Sequence, residues 1–296
     1  MSALVSAADL AELLAGARPP RLVDVRYRLD KPDGSDDHRA GHIPGAVYAD
    51  HDTELATHGA PSDGRHPLPS CETLQTAVRR WGVNHGDTVV VYDGGTTMGA
   101  ARAWWLLRGS GIDVRVLDGG LTAWQAAGGD LETGEVTPEP GDATLRGTPN
   151  GIDIADAGVW PEHGVLVDVR AAERYRGETE PLDPVAGHIP GAVNLPASNY
   201  LNPDGTFRAA EEIAAAFDAV GATEDEAVAV YCGSGVTAAQ AALAADIAGR
   251  HVALYPGSWS AWSNTPGRPV ATGTERNDGP RQVRLAQIND ALAGDH

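Results

Sequence analysis

The chain contains few cysteines and few basic residues, and both shortages exclude classes of protein. Two cysteines, Cys71 and Cys232, cannot build a disulfide framework or a cysteine-rich zinc site, so we expect a reducing compartment. The 22 Lys and Arg residues are outnumbered by 41 Asp and Glu residues, which gives a net charge of −19. A surface of this sign repels nucleic acids and anionic membranes. We therefore expect no nucleic-acid partner and no membrane partner.

Long apolar segments are also missing. No segment approaches the roughly 18 apolar residues of a membrane span, and residues 1–10 carry neither the basic region nor the apolar core of a secretory signal. These absences predict a cytoplasmic protein. The 296 residues suffice for one large domain or for two of ordinary size.

What the chain does contain is an internal repeat. The heptapeptide G-H-I-P-G-A-V occurs at residues 41–47 and again at residues 187–193. Each copy follows a predicted strand that ends in D-V-R, at residues 21–26 and 164–170. Identity over a whole heptapeptide at a nearly constant offset indicates a duplication. We predict two homologous halves.

Within each half, short apolar strands alternate with helical segments. This alternation predicts α/β domains whose parallel strands carry helices on both faces of the sheet. Further strands are predicted at residues 88–92 and 227–231, and helices at residues 7–15 (capped by Ser6), 71–81, 100–109, 121–127, 211–220, 238–249 and 259–264. The predicted division is an N-terminal domain over residues 1–135, a linker over 136–151, a C-terminal domain over 152–273, and a polar tail over 274–296 with a short helix at 283–292.

Cys232 stands in a glycine-rich turn at the end of a predicted strand. Residues 228–237 read V-A-V-Y-C-G-S-G-V-T, a pattern of strand, tight loop and helix. Such a loop directs backbone N–H groups inward at the positive end of a helix dipole, so it favours an anion such as a thiolate. A lone cysteine is more often a buried structural residue. A buried strand end, however, needs no glycine on both sides of Ser234, and we therefore predict that Cys232 is a nucleophile.

Two further absences narrow the chemistry of this loop. It contains no second cysteine, which excludes dithiol exchange. The sixth position after Cys232 is Ala238, where phosphatases of a related fold carry an arginine, and without it a phosphate lacks a bidentate partner. What a single thiolate can still do is accept one sulfur atom as a persulfide and pass it to a second nucleophile.

These features resemble the two-domain rhodanese family. The resemblance rests on the tandem G-H-I-P-G-A and D-V-R motifs and on a C-G-S-G-V-T-A loop in the second half, and it extends to about residue 273. It implies two tandem rhodanese-like domains, with the sulfur carried on Cys232 and an inactive N-terminal domain that has Asp93 at the equivalent position. The loop is similar to that of the 3-mercaptopyruvate sulfurtransferase branch, because thiosulfate-preferring members have Arg-Lys where Gly233 and Ser234 stand.

The same resemblance implies the other site residues. Arg174 falls at the position of a substrate-anion arginine, and Arg176 is a weaker candidate. Asp52 and His66 would form a proton relay with Ser234. The predicted substrate-binding residues of the loop are Gly233, Gly235, Val236 and Thr237, and Thr237 would bond the sulfur or cap the following helix. Mercaptopyruvate enzymes usually carry a second arginine soon after a Glu-Pro pair, and none follows Glu180 here.

The predicted function is therefore a sulfurtransferase that moves sulfur from 3-mercaptopyruvate or thiosulfate, through a Cys232 persulfide, to a thiol or cyanide. A thioredoxin-like reductant is one candidate acceptor, and no cofactor or metal is expected. The alternative is a persulfide carrier or redox-sensing partner protein with little small-molecule turnover. Residues shared by both halves, or typical of a core, are predicted to be structural: Asp24, Asp168, His42, His188, Trp259 and Trp262. Cys71, which opens a helix after Ser70, is predicted to be a passive thiol.

Overall fold

The computed structural model describes residues 2–274 and shows one parallel sheet in each half of the chain. The predicted helix at residues 283–292 lies outside the described residues. The N-terminal sheet has the strand order β1-β5-β4-β2-β3. Its strands are β1 (Leu4–Val5), β2 (Arg21–Asp24), β3 (Val47–Tyr48), β4 (Thr88–Tyr92) and β5 (Asp113–Leu117). The C-terminal sheet consists of β6 (Val165–Asp168), β7 (Val193–Asn194), β8 (Val228–Tyr231) and β9 (Val252–Leu254), in the order β7-β6-β8-β9.

Helices cover both sheets, and every helix predicted within the described residues is present. The α-helices are α1 (Ala7–Leu14), α2 (Ser35–Ala40), α3 (His51–Glu54), α4 (Cys71–Arg80), α5 (Met98–Gly109), α6 (Gly120–Ala126), α7 (Ile154–Val159), α8 (Ala172–Tyr175), α9 (Ala210–Ala219), α10 (Val236–Ile247) and α11 (Ser258–Ser263). Short 3-10 helices lie at Pro61–Asp63, Trp160–Glu162 and Ala197–Tyr200. The predicted cap is confirmed, since the Ser6 side chain accepts a hydrogen bond from the backbone N–H of Asp9.

The strand register explains why two loops of each half meet at one sheet edge. In the N-terminal sheet Asp24 pairs with Tyr92, and in the C-terminal sheet Asp168 pairs with Tyr231. The strands are parallel, so their carboxyl ends lie together, and ligands of α/β sheets bind at that edge. The D-V-R segments therefore lie beside the loops that follow β4 and β8.

The residues shared by both halves are buried and bonded within their own domain. Asp24 pairs with Arg26 at 2.6 Å, and Asp168 pairs with Arg170 at the same distance. His188 is stacked on Tyr175 at a ring distance of 3.7 Å. Trp259 and Trp262 are buried in the core of the C-terminal domain. These contacts agree with the structural roles predicted for them.

The two domains pack through α5 and α10, whose alanines share one core. Helix α10 is buried nearly all round its middle, as its uniformly apolar sequence requires. The segment predicted as a linker packs against the N-terminal domain. The Gly141 N–H donates to the Arg79 carbonyl, and the Ala143 N–H donates to the Val83 carbonyl. The contact between α5 and α10 brings the loops after β4 and β8 close to the domain interface. Within residues 2–274, no helix is both long enough and apolar enough to cross a bilayer.

Candidate active site

Cys232 lies directly after β8 at the base of a cavity of about 250 Å³. It is 2% exposed, and the backbone N–H of Gly235 points at its sulfur, with an N–Sγ distance of 3.1 Å. Gly235 has φ +81, and a Cβ there would stand 2.4 Å from the Pro256 carbonyl oxygen. Glycine is therefore required at this position by both conformation and space.

The first residues of α11 form hydrogen bonds with the backbone of this loop. The Ser258 hydroxyl accepts a hydrogen bond from the Cys232 N–H at 3.1 Å. The Trp259 and Ser260 N–H groups donate to the carbonyls of Cys232 and Gly233, at 3.0 and 2.8 Å. Ser258 itself has φ +53, a strained conformation for a serine. The loop is thus fixed before any ligand binds, which suits a preorganised anion site.

Both domains line the cavity. The N-terminal domain contributes Tyr27, Leu29, Arg65 and Met98, whereas the C-terminal domain contributes Arg174 and the cysteine loop. The predicted loop residues Gly233, Ser234, Val236 and Thr237 are all part of the lining. The expectation for Thr237 was wrong in detail: helix α10 begins at Val236 with Gly235 as its N-cap, and the threonine hydroxyl donates to Met98 Sδ at 3.5 Å.

The structure brings His66 to Ser234 but leaves Asp52 at a distance. His66 Nδ1 lies 2.9 Å from Ser234 Oγ. The nearest Asp52 oxygen is 3.9 Å from His66 Nε2, too far for a hydrogen bond, and bonds His51 Nδ1 at 3.1 Å instead. The Tyr27 hydroxyl, 3.2 Å away, is the partner of His66 Nε2. The hydrogen-bonded chain at the candidate relay therefore runs from Ser234 through His66 to Tyr27.

The imidazole of this relay is neutral at neutral pH. Burial, assisted by His51, lowers the pKa of His66 to about 3. Burial and the charge of Asp52 raise the pKa of Tyr27 to about 12, so its hydroxyl keeps its proton. A neutral imidazole donates at one nitrogen and accepts at the other. The Ser234, His66 and Tyr27 side chains therefore form an uncharged hydrogen-bonded chain, in which one ring nitrogen donates and the other accepts.

Of the two predicted arginines, only Arg174 faces the cavity. Its guanidinium bonds Glu180 at 2.5 Å and lies near Gly233, because a Cβ on that glycine would be 3.6 Å from Arg174 Nη1. Arg176 is not brought to the cavity and pairs with Glu178 on the surface at 2.7 Å. The side chain at 176 leaves the opposite side of the short helix α8 from the one at 174, which accounts for the difference.

Three functional candidates were missed by the sequence reasoning. Tyr27 follows the D-V-R motif, and Arg65 directly precedes His66, so their sequence positions offered a signal. Arg102 is fully buried in α5 and donates to the His66 carbonyl at 3.0 Å, which fixes the relay loop. Burial lowers the pKa of Arg102 to about 10.

The equivalent loop of the N-terminal domain holds an internal anion. The Asp93 carboxylate accepts hydrogen bonds from the N–H groups of Gly95, Thr97 and Gly99 at 2.8 to 3.2 Å. Complete burial raises the pKa of this carboxyl. An aspartate thus occupies the cradle in which the C-terminal domain presents a sulfur.

Among the described residues, one group of side chains has the spacing of a metal site. His51, Asp52 and His66 offer ligand atoms within 4.8 Å of one another. All three also belong to the hydrogen-bonded surroundings of the relay, which accounts for their proximity. The group therefore gives no separate indication of a metal.

The structure thus has two parallel α/β domains, and the second carries a buried cysteine in a glycine-rich loop that lines a cavity. The model of the rhodanese-like domain matches residues 6–127 and 154–265, and the chain belongs to this family. It is 46% identical to a putative thiosulfate sulfurtransferase, SseB, of Mycobacterium tuberculosis over 279 residues, covering 92% of this chain and 97% of the relative.

Other relatives point to the same class. A probable 3-mercaptopyruvate sulfurtransferase of Pseudomonas aeruginosa is 44% identical, over 91% of this chain and 98% of its own. The crystal structure of SseA from Escherichia coli, described as a 3-mercaptopyruvate sulfotransferase with the rhodanese fold, superposes with a TM-score of 0.77 at 34% identity, covering 88% of this chain and 99% of that one. The predicted family, fold and sulfurtransferase class are thus confirmed.

Proposed function

We propose that this protein transfers sulfur from a small anionic donor, 3-mercaptopyruvate or thiosulfate, through a persulfide on Cys232 to a thiol or cyanide. One observation carries the proposal. The buried Cys232 lines the same cavity as Arg174 and Ser234, and Ser234 is hydrogen-bonded to His66. Gly233, Val236 and Thr237 line this cavity, and the Gly235 N–H bonds the sulfur.

The first half-reaction is an attack of the Cys232 thiolate on the donor's outer sulfur. With thiosulfate, the new S–S bond forms as the donor S–S bond breaks, and sulfite leaves with the electron pair. With 3-mercaptopyruvate, the C–S bond breaks, and the thiol proton of the donor ends on the carbon of the pyruvate product. In the second half-reaction the acceptor takes the outer sulfur: cyanide leaves as thiocyanate, a thiolate as a persulfide, and Cys232 returns as thiolate.

The two donors differ in their need for a proton. Thiosulfate transfer balances without one, whereas mercaptopyruvate transfer moves a proton from sulfur to carbon. The Ser234–His66–Tyr27 relay suits the second reaction, because its members are uncharged and hydrogen-bonded. We therefore propose 3-mercaptopyruvate as the donor that uses the relay. In this scheme Asp52 acts on the relay only indirectly, by bonding His51, whose ring lies edge-on to that of His66.

Steady-state kinetics with both donors and cyanide, and mass spectrometry of the protein after donor treatment, test the proposal. We expect turnover and one added sulfur on Cys232. Cys232→Ser abolishes both, whereas Cys71→Ser, which alters an exposed thiol, retains them. Stable loading without turnover would instead indicate a persulfide carrier, and the absence of loading would contradict the proposal. A thioredoxin-like acceptor and a cytoplasmic location stay predictions of the sequence.

A further inference from the structure

We propose that Arg65 of the N-terminal domain binds the donor anion together with Arg174, so that the two domains form one anion site across their interface. The inference rests on the proposed function, since it names the second residue that recognises the donor. It also accounts for a departure noted in the sequence, namely that no arginine follows the Glu-Pro pair at residues 180 and 181.

The position of Arg65 relative to the cysteine loop carries the argument. A Cβ on Gly233 would stand 2.9 Å from Arg65 Nη2 and 3.6 Å from Arg174 Nη1. The two guanidinium groups thus flank one point directly beside the residue that follows Cys232. A carboxylate or sulfonate at the end of a donor whose sulfur touches Cys232 would lie between them.

The buried carboxylates of Asp183 and Glu180 form ion pairs with these two arginines. Asp183 forms an ion pair with Arg65, and its other oxygen lies 3.5 Å from Arg174, which also bonds Glu180. The carboxylate side chains are only 2% and 3% exposed, whereas those of Arg65 and Arg174 are 26% and 18% exposed. The cavity is therefore lined by the two arginines and not by the carboxylates that pair with them. A fork held in this way loses little side-chain entropy when an anion binds.

Both guanidinium groups retain donors for a ligand. Among the described residues, no acceptor is hydrogen-bonded to Arg65 Nη2 or Arg174 Nη1, and Arg65 Nε is buried without a partner. Leaving buried N–H groups unpaired costs free energy, and an anion between the two arginines would satisfy them. A purely structural ion pair with Asp183 would not require Arg65 and Arg174 to line the cavity.

The two half-reactions of one protein provide the test. The variant Arg65→Met keeps the length of the side chain and removes its charge, and Arg39→Met is the matched control, an arginine of the same domain that pairs with Asp36 away from the cavity. Rapid-mixing kinetics measure loading of Cys232 by each donor, and then discharge of the isolated persulfide by 2-mercaptoethanol, an acceptor without an anionic group on its carbon chain.

We expect Arg65→Met to lower the second-order rate constant of loading about 10- to 100-fold, mainly by raising the dissociation constant of the donor, as for the loss of a charge-assisted hydrogen bond. Discharge by 2-mercaptoethanol should stay within about 2-fold of the unsubstituted protein, as should both steps in Arg39→Met. An equal loss in both steps, or no loss in loading, would overturn the role of Arg65.

If Arg65→Met does not fold, Arg65→Lys takes its place, because it keeps the charge near Asp183 and loses only the fork. Loading should then fall about 5- to 20-fold with discharge unchanged, and an unaltered rate of loading would overturn the proposal. A failure of the proposed function is distinguishable, because the unsubstituted protein would then load no sulfur from either donor.

Discussion

His66 Nδ1 lies 2.9 Å from Ser234 Oγ, although 168 residues separate the two in the chain. The N-terminal domain has Asp93 in place of a cysteine and still supplies His66 and Tyr27, two of the three members of the proposed relay. A duplicated domain without its own nucleophile is therefore part of the site. The predictions below test how its residues act.

Removing the His66 imidazole should lower kcat/KM for 3-mercaptopyruvate much more than kcat/KM for thiosulfate. In His66→Gln, we expect kcat/KM for 3-mercaptopyruvate to fall about 100-fold or more, because general acid–base catalysis typically contributes 10²- to 10⁴-fold. Thiosulfate, which needs no proton, should lose less than about 10-fold. Steady-state kinetics with cyanide as acceptor measure both values, and His58→Gln, an exposed histidine of the same domain, is the control. Equal losses for the two donors would contradict a proton-transfer role.

Tyr27 should matter more than Asp52 to the relay. Tyr27→Phe removes the hydroxyl that lies 3.2 Å from His66 Nε2, and kcat for 3-mercaptopyruvate should fall about 3- to 10-fold, the value of one neutral hydrogen bond. Asp52→Asn should change kcat by less than about 3-fold, because its oxygen is 3.9 Å from the ring. A larger effect for Asp52→Asn would indicate that the carboxylate moves onto His66 during turnover.

The buried histidines should make stability fall in acid. Burial lowers the pKa of His66 to about 3 and also lowers that of His51, whereas an unfolded histidine titrates near 6.5. Below about pH 6.5 the unfolded chain therefore binds more protons than the folded one, and the free energy of unfolding decreases as the pH falls.

Urea unfolding between about pH 4.5 and 6 measures this slope. In His66→Gln the uptake on unfolding should decrease by up to about one proton, or about 1.4 kcal/mol per pH unit. Ser234→Ala keeps the imidazole buried and should retain most of the slope, because desolvation is the main cause of the lowered pKa. The same slope in His66→Gln as in the unsubstituted protein would show that other groups determine it.

Two glycines with similar backbone angles allow strain and space to be separated. Gly235 and Gly249 have φ +81 and +72, but only at Gly235 would a Cβ meet another atom, the Pro256 oxygen at 2.4 Å. Gly249→Ala should lower the free energy of unfolding by about 1 kcal/mol, and Gly235→Ala by about 3 kcal/mol. Denaturant unfolding measures both. Similar values for the two variants would mean that the loop can move away from Pro256.

Much of this architecture was predictable because the repeat marks equivalent positions. The identical heptapeptides and D-V-R segments predicted two domains, and the apolar run before Cys232 predicted β8 and its loop. The two-residue strands β1, β3 and β7 were not predicted, since so few residues show no alternation, and β5 and β9 were not predicted either. Arg176 was proposed for the site and lies on the surface, because sequence proximity to Arg174 does not fix the direction of a side chain.

The sequence by itself determined the candidate nucleophile, the fold of each half and the absence of a cysteine from the equivalent loop of the first half, because residues close together in the chain determine each of these. Only the tertiary structure added Arg65 and Tyr27 to the candidate site, whereas His66 was already implied by the family resemblance. Arg65, Tyr27 and His66 reach the Cys232 loop because α5 packs on α10 and brings two sheet edges together. That contact joins residues more than a hundred positions apart, and no local pattern in the chain encodes such a distance.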